Sequence, residues 1–199
     1  MLLASRSPRR RELLHAHGIE HETIDSGIDD SGLVAPGVNP MRWVMGLAYL
    51  KARSGWDRLA DRSGAIVLGA DTVVIKDGAI IGQPKDEPDA RAIVGLLNDG
   101  AHDVATGVAM LDDRGERVVW VDTAHVRVGH VPQESREAYL RTGAWRGKAG
   151  AYNFADRLDD GWPISCQDDT STVMGLPMNM LPDILDRFAS RPVLRGAGA

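Results

Sequence analysis

Residues able to do chemistry begin almost at once. Ser5-Arg6-Ser7-Pro8-Arg9-Arg10-Arg11 places two hydroxyls and four arginines where a short apolar strand, Met1 to Ala4, gives way to a helix. Ser7 reads as the N-cap and Pro8 as the first helical residue. The first turn of a helix presents unpaired N–H groups and the positive end of its dipole, so arginines are misplaced there on electrostatic grounds alone. A polyanion bound at that end removes the conflict; a solvated basic helix start is the plainer alternative. A second candidate is Gly69-Ala70-Asp71-Thr72, where a carboxylate follows the apolar run Ala65 to Ala70. Read as the carboxyl end of a buried strand, Asp71 stands where open α/β sheets bind ligands. It can hold a divalent cation or take a proton from water, or it is an ordinary turn aspartate.

Weaker signals follow. Gly82-Gln83-Pro84-Lys85-Asp86 is a polar loop after a strand, and its composition is also common turn chemistry. Gly147-Lys148-Ala149-Gly150 sets a lysine among small residues, which suits close approach to phosphate oxygens, or a flexible loop. It is no P-loop, because Ala149 stands where a magnesium-binding Ser or Thr would be. Asp29 and Asp30 add carboxylates that either assist a cation or are simply solvated. His15, His17 and His21 do not share a helix face, no G-x-S-x-G is present, and Cys166 has no evident base near it in sequence. The five tryptophans read as core or interface residues ahead of base-stacking platforms, and Trp145, beside Lys148, is the one for which stacking stays open as the alternative.

The elements that must position these residues alternate. Helices are expected from Ser7-Pro8 to Gly18, from Pro40 with Met41, Val44, Met45, Ala48 and Lys51 on one stripe, over Glu87 to Leu97, over Pro132 to Thr142 and over Met178 to Phe188. Strands are expected at Met1 to Ala4, Glu20 to Ile24, Ala65 to Ala70, Val104 to Leu111 and Arg117 to Val128, with a hairpin across Lys76-Asp77-Gly78. Ile164 to Val173 reads as irregular or strand. The chain has 199 residues, 43% of them apolar and 26% charged, with a net charge of −5. That is enough for one domain (1–199, with 196–199 a small-residue tail) and argues against a dedicated duplex-DNA binder. The single cysteine excludes an internal disulfide and a multi-cysteine zinc site. No segment approaches the roughly 20 apolar residues of a membrane helix, and the N-terminus lacks signal-peptide order. The expectation is a cytoplasmic protein with no membrane partner.

These pieces, in this order, resemble the Maf family of nucleoside triphosphate pyrophosphatases, within the inosine-triphosphatase-like superfamily. The resemblance runs from Leu3-Ala4-Ser5-Arg6-Ser7-Pro8-Arg9-Arg10 through Lys51-Ala52, Gly69-Ala70-Asp71-Thr72 and Lys148-Ala149-Gly150-Ala151-Tyr152 to Val173-Met174-Gly175-Leu176-Pro177. It implies an α/β fold with a curved mixed central sheet flanked by helices, and two lobes around a central cleft. It implies hydrolysis of a nucleoside triphosphate to monophosphate and pyrophosphate with Mg²⁺ or Mn²⁺. Under it Asp71 is the general base. Ser5, Ser7, Arg9, Arg10, Lys51, Thr72, Gln83, Lys85 and Lys148 bind substrate, and Asp71, Asp30 and Asp86 serve the cation. Arg9 and Thr72 match positions linked to substrate choice. A homodimer and no stable nucleic-acid complex are also implied. Three positions depart from the family pattern. Gln83 replaces a lysine, for which Lys85 is the candidate substitute; Asp30 replaces a longer acid; and Ala155 replaces a glutamine associated with the base, which leaves the base open. The second reading is a non-catalytic nucleotide- or nucleic-acid-binding regulator of septum formation, and a third is a hydrolase of another phosphoester.

Overall fold

The structure, a computed structural model, describes residues 1–29, 33 and 37–190; Asp30 and the 196–199 tail lie outside them. The elements, in order, are β1 (Leu2–Leu3), α1 (Pro8–Ala16), β2 (Glu22–Thr23), α2 (Pro40–Asp57), β3 (Ile66–Lys76), β4 (Ala79–Ile81), α3 (Glu87–Leu97), β5 (Gly100–Asp112), β6 (Arg117–Val128), α4 (Gln133–Thr142), α5 (Phe154–Asp159), β7 (Ile164–Cys166), α6 (Thr170–Met174) and α7 (Leu181–Ala189). A turn of 3₁₀ helix at Ala149–Ala151 precedes α5. One curled mixed sheet runs β2-β1-β3-β5-β6-β7, with β4 hairpinned onto β3. The expected α/β class therefore stands. No helix among the described residues is long and apolar enough to cross a membrane.

The helix expected over Glu87 to Leu97 has those bounds, with Asp86 accepting from the Asp89 N–H at its start. The hairpin turn is where it was expected, and Asp77 and Gly78 take its positive φ values of 51° and 77°. Ile164 to Val173 divides into β7 and the start of α6. The largest correction concerns Asp71. It does not end a strand but sits in the middle of β3, whose 11 residues run on through Val73-Val74-Ile75.

Strand register explains how a carboxylate survives there. Directly opposed residues share a face of the sheet. On one face, the rows Ala70–Val108–Trp120 and Val74–Val104–Ala124 are apolar, and between them lies the polar row Thr72–Thr106–Asp122. The first row belongs to a core with Leu13, Leu14, Leu181 and Phe188; the last belongs to another with Leu97, Phe154 and Ile164. The polar row thus divides two apolar clusters. The other face carries Val67, Gly69, Asp71 and Val73 and is covered by α2 through Val44, Ala48, Ala52 and Trp56. Contact there is backbone to backbone. A Cβ on Gly69 would lie 2.4 Å from the Ala48 carbonyl oxygen, and one on Gly107 would lie 2.6 Å from that of Val44.

A buried histidine behind the site makes one part of the fold sensitive to acid. His102 packs edge-on against Tyr152, and its Nε2 is 2.7 Å from the tyrosine oxygen. Burial, reinforced by the charge of Lys76, pushes the imidazole down to about 4. The unfolded chain protonates His102 near 6.5 and the folded one does not. Stability is therefore complete above that range and is lost as pH falls from about 6.5 towards 4, by on the order of 3 kcal/mol across the window. Urea unfolding of wild type and His102→Gln at pH 7 and pH 5 checks this: wild type loses more stability over that interval, and parallel losses refute it.

Candidate active site

The parity of β3 sends Asp71 to the α2 face and Thr72 to the opposite face, yet both line one cavity of about 560 Å³. The strand pairing accounts for this. β1 pairs with β3 only at Val67 and Leu68, and β4 only from Val74 to Lys76. Between them, from Gly69 to Val73, that edge of β3 has no partner strand among the described residues, and the cavity opens onto the gap. The Ser5–Arg10 segment closes one side and the Arg146–Phe154 segment the other.

Lys51 reaches in from α2 and forms an ion pair with Asp71 at 2.6 Å, the two side chains being only 13% and 10% exposed. Contact of α2 with Gly69 and Gly107 brings the helix low enough for this reach. Ser7 stands at the N-terminus of α1 with extended backbone, but its side chain makes no capping bond. Its N–H instead donates to Ser5 Oγ at 3.2 Å. The hydroxyl is thus not spent on the helix, and it lines the cavity.

The arginines that look alike in sequence part ways here. Arg9 lines the cavity and is 3.7 Å from Asp156. Arg10 is buried and acts as a clamp: Nε donates to the Gly175 carbonyl at 2.9 Å, Nη1 to Ser5 Oγ at 3.2 Å and Nη2 to Thr72 Oγ1 at 3.1 Å. Arg11 is exposed and outside the lining. Lys148 also lines the cavity, donates to the Ala144 carbonyl and is 3.9 Å from Asp156, the carboxylate that Arg9 also approaches. Burial lowers its ammonium below the ordinary lysine range, and Asp156 opposes that shift.

Gln83 is in the lining, whereas Lys85 and Asp86 are not. Lys85 is exposed, and its N–H is bonded to Asp89. Asp86 is spent on capping α3. The cation that does join the wall is Arg146, which the sequence reading passed over, its guanidinium lying 4.5 Å from the Trp145 ring centroid. The signal available was its place two residues before Lys148. Trp145 itself is buried, with its indole N–H donated to Leu140, so it is core and presents no face to a base. Cys166 lies outside the cavity. Among the described residues the lining carries six cations against Glu12 and Asp71, and no group of three or more His, Cys, Asp or Glu residues is arranged to hold a metal.

Fold and site together define an α/β protein with a cationic, polyanion-sized cleft closed around one ion-paired carboxylate. Comparison with known families gives this class its place. Residues 1–188 match the family described as Maf-like protein, and the chain belongs to that family. It is 38% identical over 182 residues to a dTTP/UTP pyrophosphatase of Salinibacter ruber, covering 91% of this chain and 87% of that one. It is 36% identical over 198 residues to a dTTP/UTP pyrophosphatase of Symbiobacterium thermophilum, covering 100% and 98%. Two solved structures align more distantly. A nucleoside-triphosphatase (dITP/XTP pyrophosphatase) of Mycobacterium abscessus has TM-score 0.40 and 16% identity over 66% of this chain and 74% of that one. The Ham1 protein of Staphylococcus aureus has TM-score 0.42 and 13% identity over 64% and 70%.

Proposed function

We propose that this chain hydrolyses nucleoside triphosphates to the monophosphate and pyrophosphate, with thymidine and uridine triphosphates as its first candidate substrates. The observation that carries the reading is the Asp71–Lys51 pair on the floor of a cavity whose walls supply Ser5, Ser7, Arg9, Arg146 and Lys148. The matching names of the relatives support the reaction and the pyrimidine bases.

In this mechanism Asp71 takes a proton from a water attacking the α-phosphorus. The bond from that phosphorus to the bridging oxygen breaks, and pyrophosphate leaves carrying the electron pair. Little covalent work falls to the protein; it positions the chain of phosphates and neutralises charge. Lys51 orients the Asp71 carboxylate. Arg9 and Lys148, which meet on either side of the Asp156 carboxylate, grip the leaving phosphates, and Arg146 adds a third positive group. Mg²⁺ needs only one or two protein carboxylates beside substrate phosphates and water, and Asp71, the buried carboxylate of the cavity lining, would supply one. When bound, the cation supplies charge neutralisation at the phosphates.

A panel of canonical and modified triphosphates, assayed with Mg²⁺ or Mn²⁺ for both pyrophosphate and monophosphate, tests the reading. Equal amounts of the two products from at least one triphosphate are expected, with thymidine and uridine triphosphates among the best. Release of orthophosphate alone places the chemistry elsewhere, and binding without turnover establishes the regulator reading instead.

A further inference from the structure

Arg9 and Lys148 lie far apart in the chain yet converge on one carboxylate. Asp156 presents one oxygen to each: Oδ1 is 3.7 Å from Arg9 Nη2, and Oδ2 is 3.9 Å from Lys148 Nζ. Both cations line the cavity, and Asp156 does not. It is carried in the first turn of α5, which Asn153 caps by accepting from the N–H groups of Ala155 and Asp156. It follows Ala155, a position where the chain departs from the family pattern.

The bridge is loose. Charge-assisted hydrogen bonds close to about 2.7–2.9 Å. Neither contact is that short, so the N–H donors of neither cation are committed to Asp156. Its side chain is also 46% exposed, so the carboxylate stays hydrated and loses little when the cations turn away. In the free protein an anion at this point is nonetheless useful. Burial lowers the Lys148 ammonium, Asp156 opposes that shift, and the like charges of Arg9 and Arg157 add to the lowering. One carboxylate shared by Arg9 and Lys148 offsets their mutual repulsion and keeps the lysine charged.

We propose that Asp156 is a built-in counterion for the phosphate grip: Arg9 and Lys148 leave it for phosphate oxygens when a triphosphate enters, and return to it as pyrophosphate departs. A carboxylate and a phosphate group offer these cations the same thing, a pair of anionic oxygens, so the two positive charges stay neutralised throughout the exchange. Competition from the carboxylate lowers affinity for every polyphosphate, the product included, and keeps pyrophosphate from lodging in the site. Asp156 acts through the two cations and is a positioning residue. This rests on the nucleoside triphosphate reading above and adds to it a control on product release.

The test is calorimetry with inorganic pyrophosphate on wild type, Asp156→Asn, Asp156→Ala and Asp159→Asn, without divalent cations so that only the protein's own charges are read. Asp159 ends the same helix and is exposed, so its variant controls for the loss of one negative charge. Both Asp156 variants should bind pyrophosphate about three- to tenfold more tightly than wild type, the size of one or two weak ion pairs released. Asp159→Asn should stay near the wild-type value. In turnover, the Asp156 variants should show a KM for thymidine triphosphate lowered by a similar factor, a kcat that does not rise, and stronger inhibition by added pyrophosphate. The inference is overturned if neither Asp156 variant gains affinity, if both lose it (the mark of a strut that holds the cations in place), or if Asp159→Asn gains as much. Failure of wild type and variants alike to bind pyrophosphate overturns it too. If wild type binds pyrophosphate but hydrolyses no triphosphate, the pyrophosphatase reading fails on its own, and the dissociation constants still decide the role of Asp156.

Discussion

Asp71→Asn is expected to lower kcat by about 10²–10⁴-fold, the range spanned by removal of a positioned general base. The substitution keeps the shape of the side chain but removes its charge and most of its basicity. Triphosphate binding should survive, because Arg9, Arg146 and Lys148 stand on other segments and are untouched. Calorimetry of the variant with thymidine triphosphate should therefore show a Kd within an order of magnitude of wild type while pyrophosphate release is nearly abolished. The variant should also melt earlier, since Lys51 keeps a position only 13% exposed with its carboxylate partner gone. A variant that retains more than a tenth of the wild-type rate removes Asp71 from the role of base.

The second large effect lies where no polar atom is involved. Gly69→Ala adds one carbon at a point 2.4 Å from both the Ala48 carbonyl oxygen and the Ala52 nitrogen. Both are backbone atoms of α2 and cannot rotate away, so the helix must lift from the sheet. Overpacking of this kind costs about 3 kcal/mol or more, which in a chain of this size lowers Tm by roughly 10 °C. Lys51 rides on the same helix, so residual folded protein should show a weakened Lys51–Asp71 pair and reduced kcat. Gly46→Ala is the contrasting case. Gly46 is exposed on α2 with nothing within 4 Å of an added Cβ, and the change should stabilise by about 0.5–1 kcal/mol. Thermal melts of the two variants side by side check the pair. Equal Tm values show that the contact is not as tight as described.

Much of the fold was legible in the sequence, and the reasons are local. Glu87–Leu97 has a cap, a proline in its first turn and apolar residues at three- and four-residue spacing, and it formed with the expected bounds. Val44, Ala48 and Lys51 share a stripe, so a lysine at the edge of a core-facing helix was evident before its partner was. Asp71 shows where local reading stops. Two polar residues between Ala65–Ala70 and Val73–Ile75 look like the end of one strand and the start of another. They belong to one strand because both open onto a gap in its pairing, a tertiary fact. The three arginines after Pro8 are likewise equivalent in sequence. Only the partners Gly175, Ser5 and Thr72, as many as 165 positions away, make Arg10 a clamp while Arg9 faces the cavity. Helix α5, with six residues, is too short for a periodic signal, and Arg146 carried none beyond its nearness to Lys148.

The gap in β3 also bears on how the sheet avoids uncontrolled strand addition. A strand with open backbone groups invites addition of a foreign strand, and long flat edges are where association begins. Here the open stretch is the five residues from Gly69 to Val73, bounded by β1 at Leu68 and by β4 at Val74. Its middle, Asp71 and Thr72, faces a recess lined by arginine and lysine. A nucleotide fits such a recess, whereas a second polypeptide would have to thread through crowded positive charge to find only a few residues to pair with. The opening thus gives a small ligand access to the middle of a sheet without offering other chains a template for aggregation.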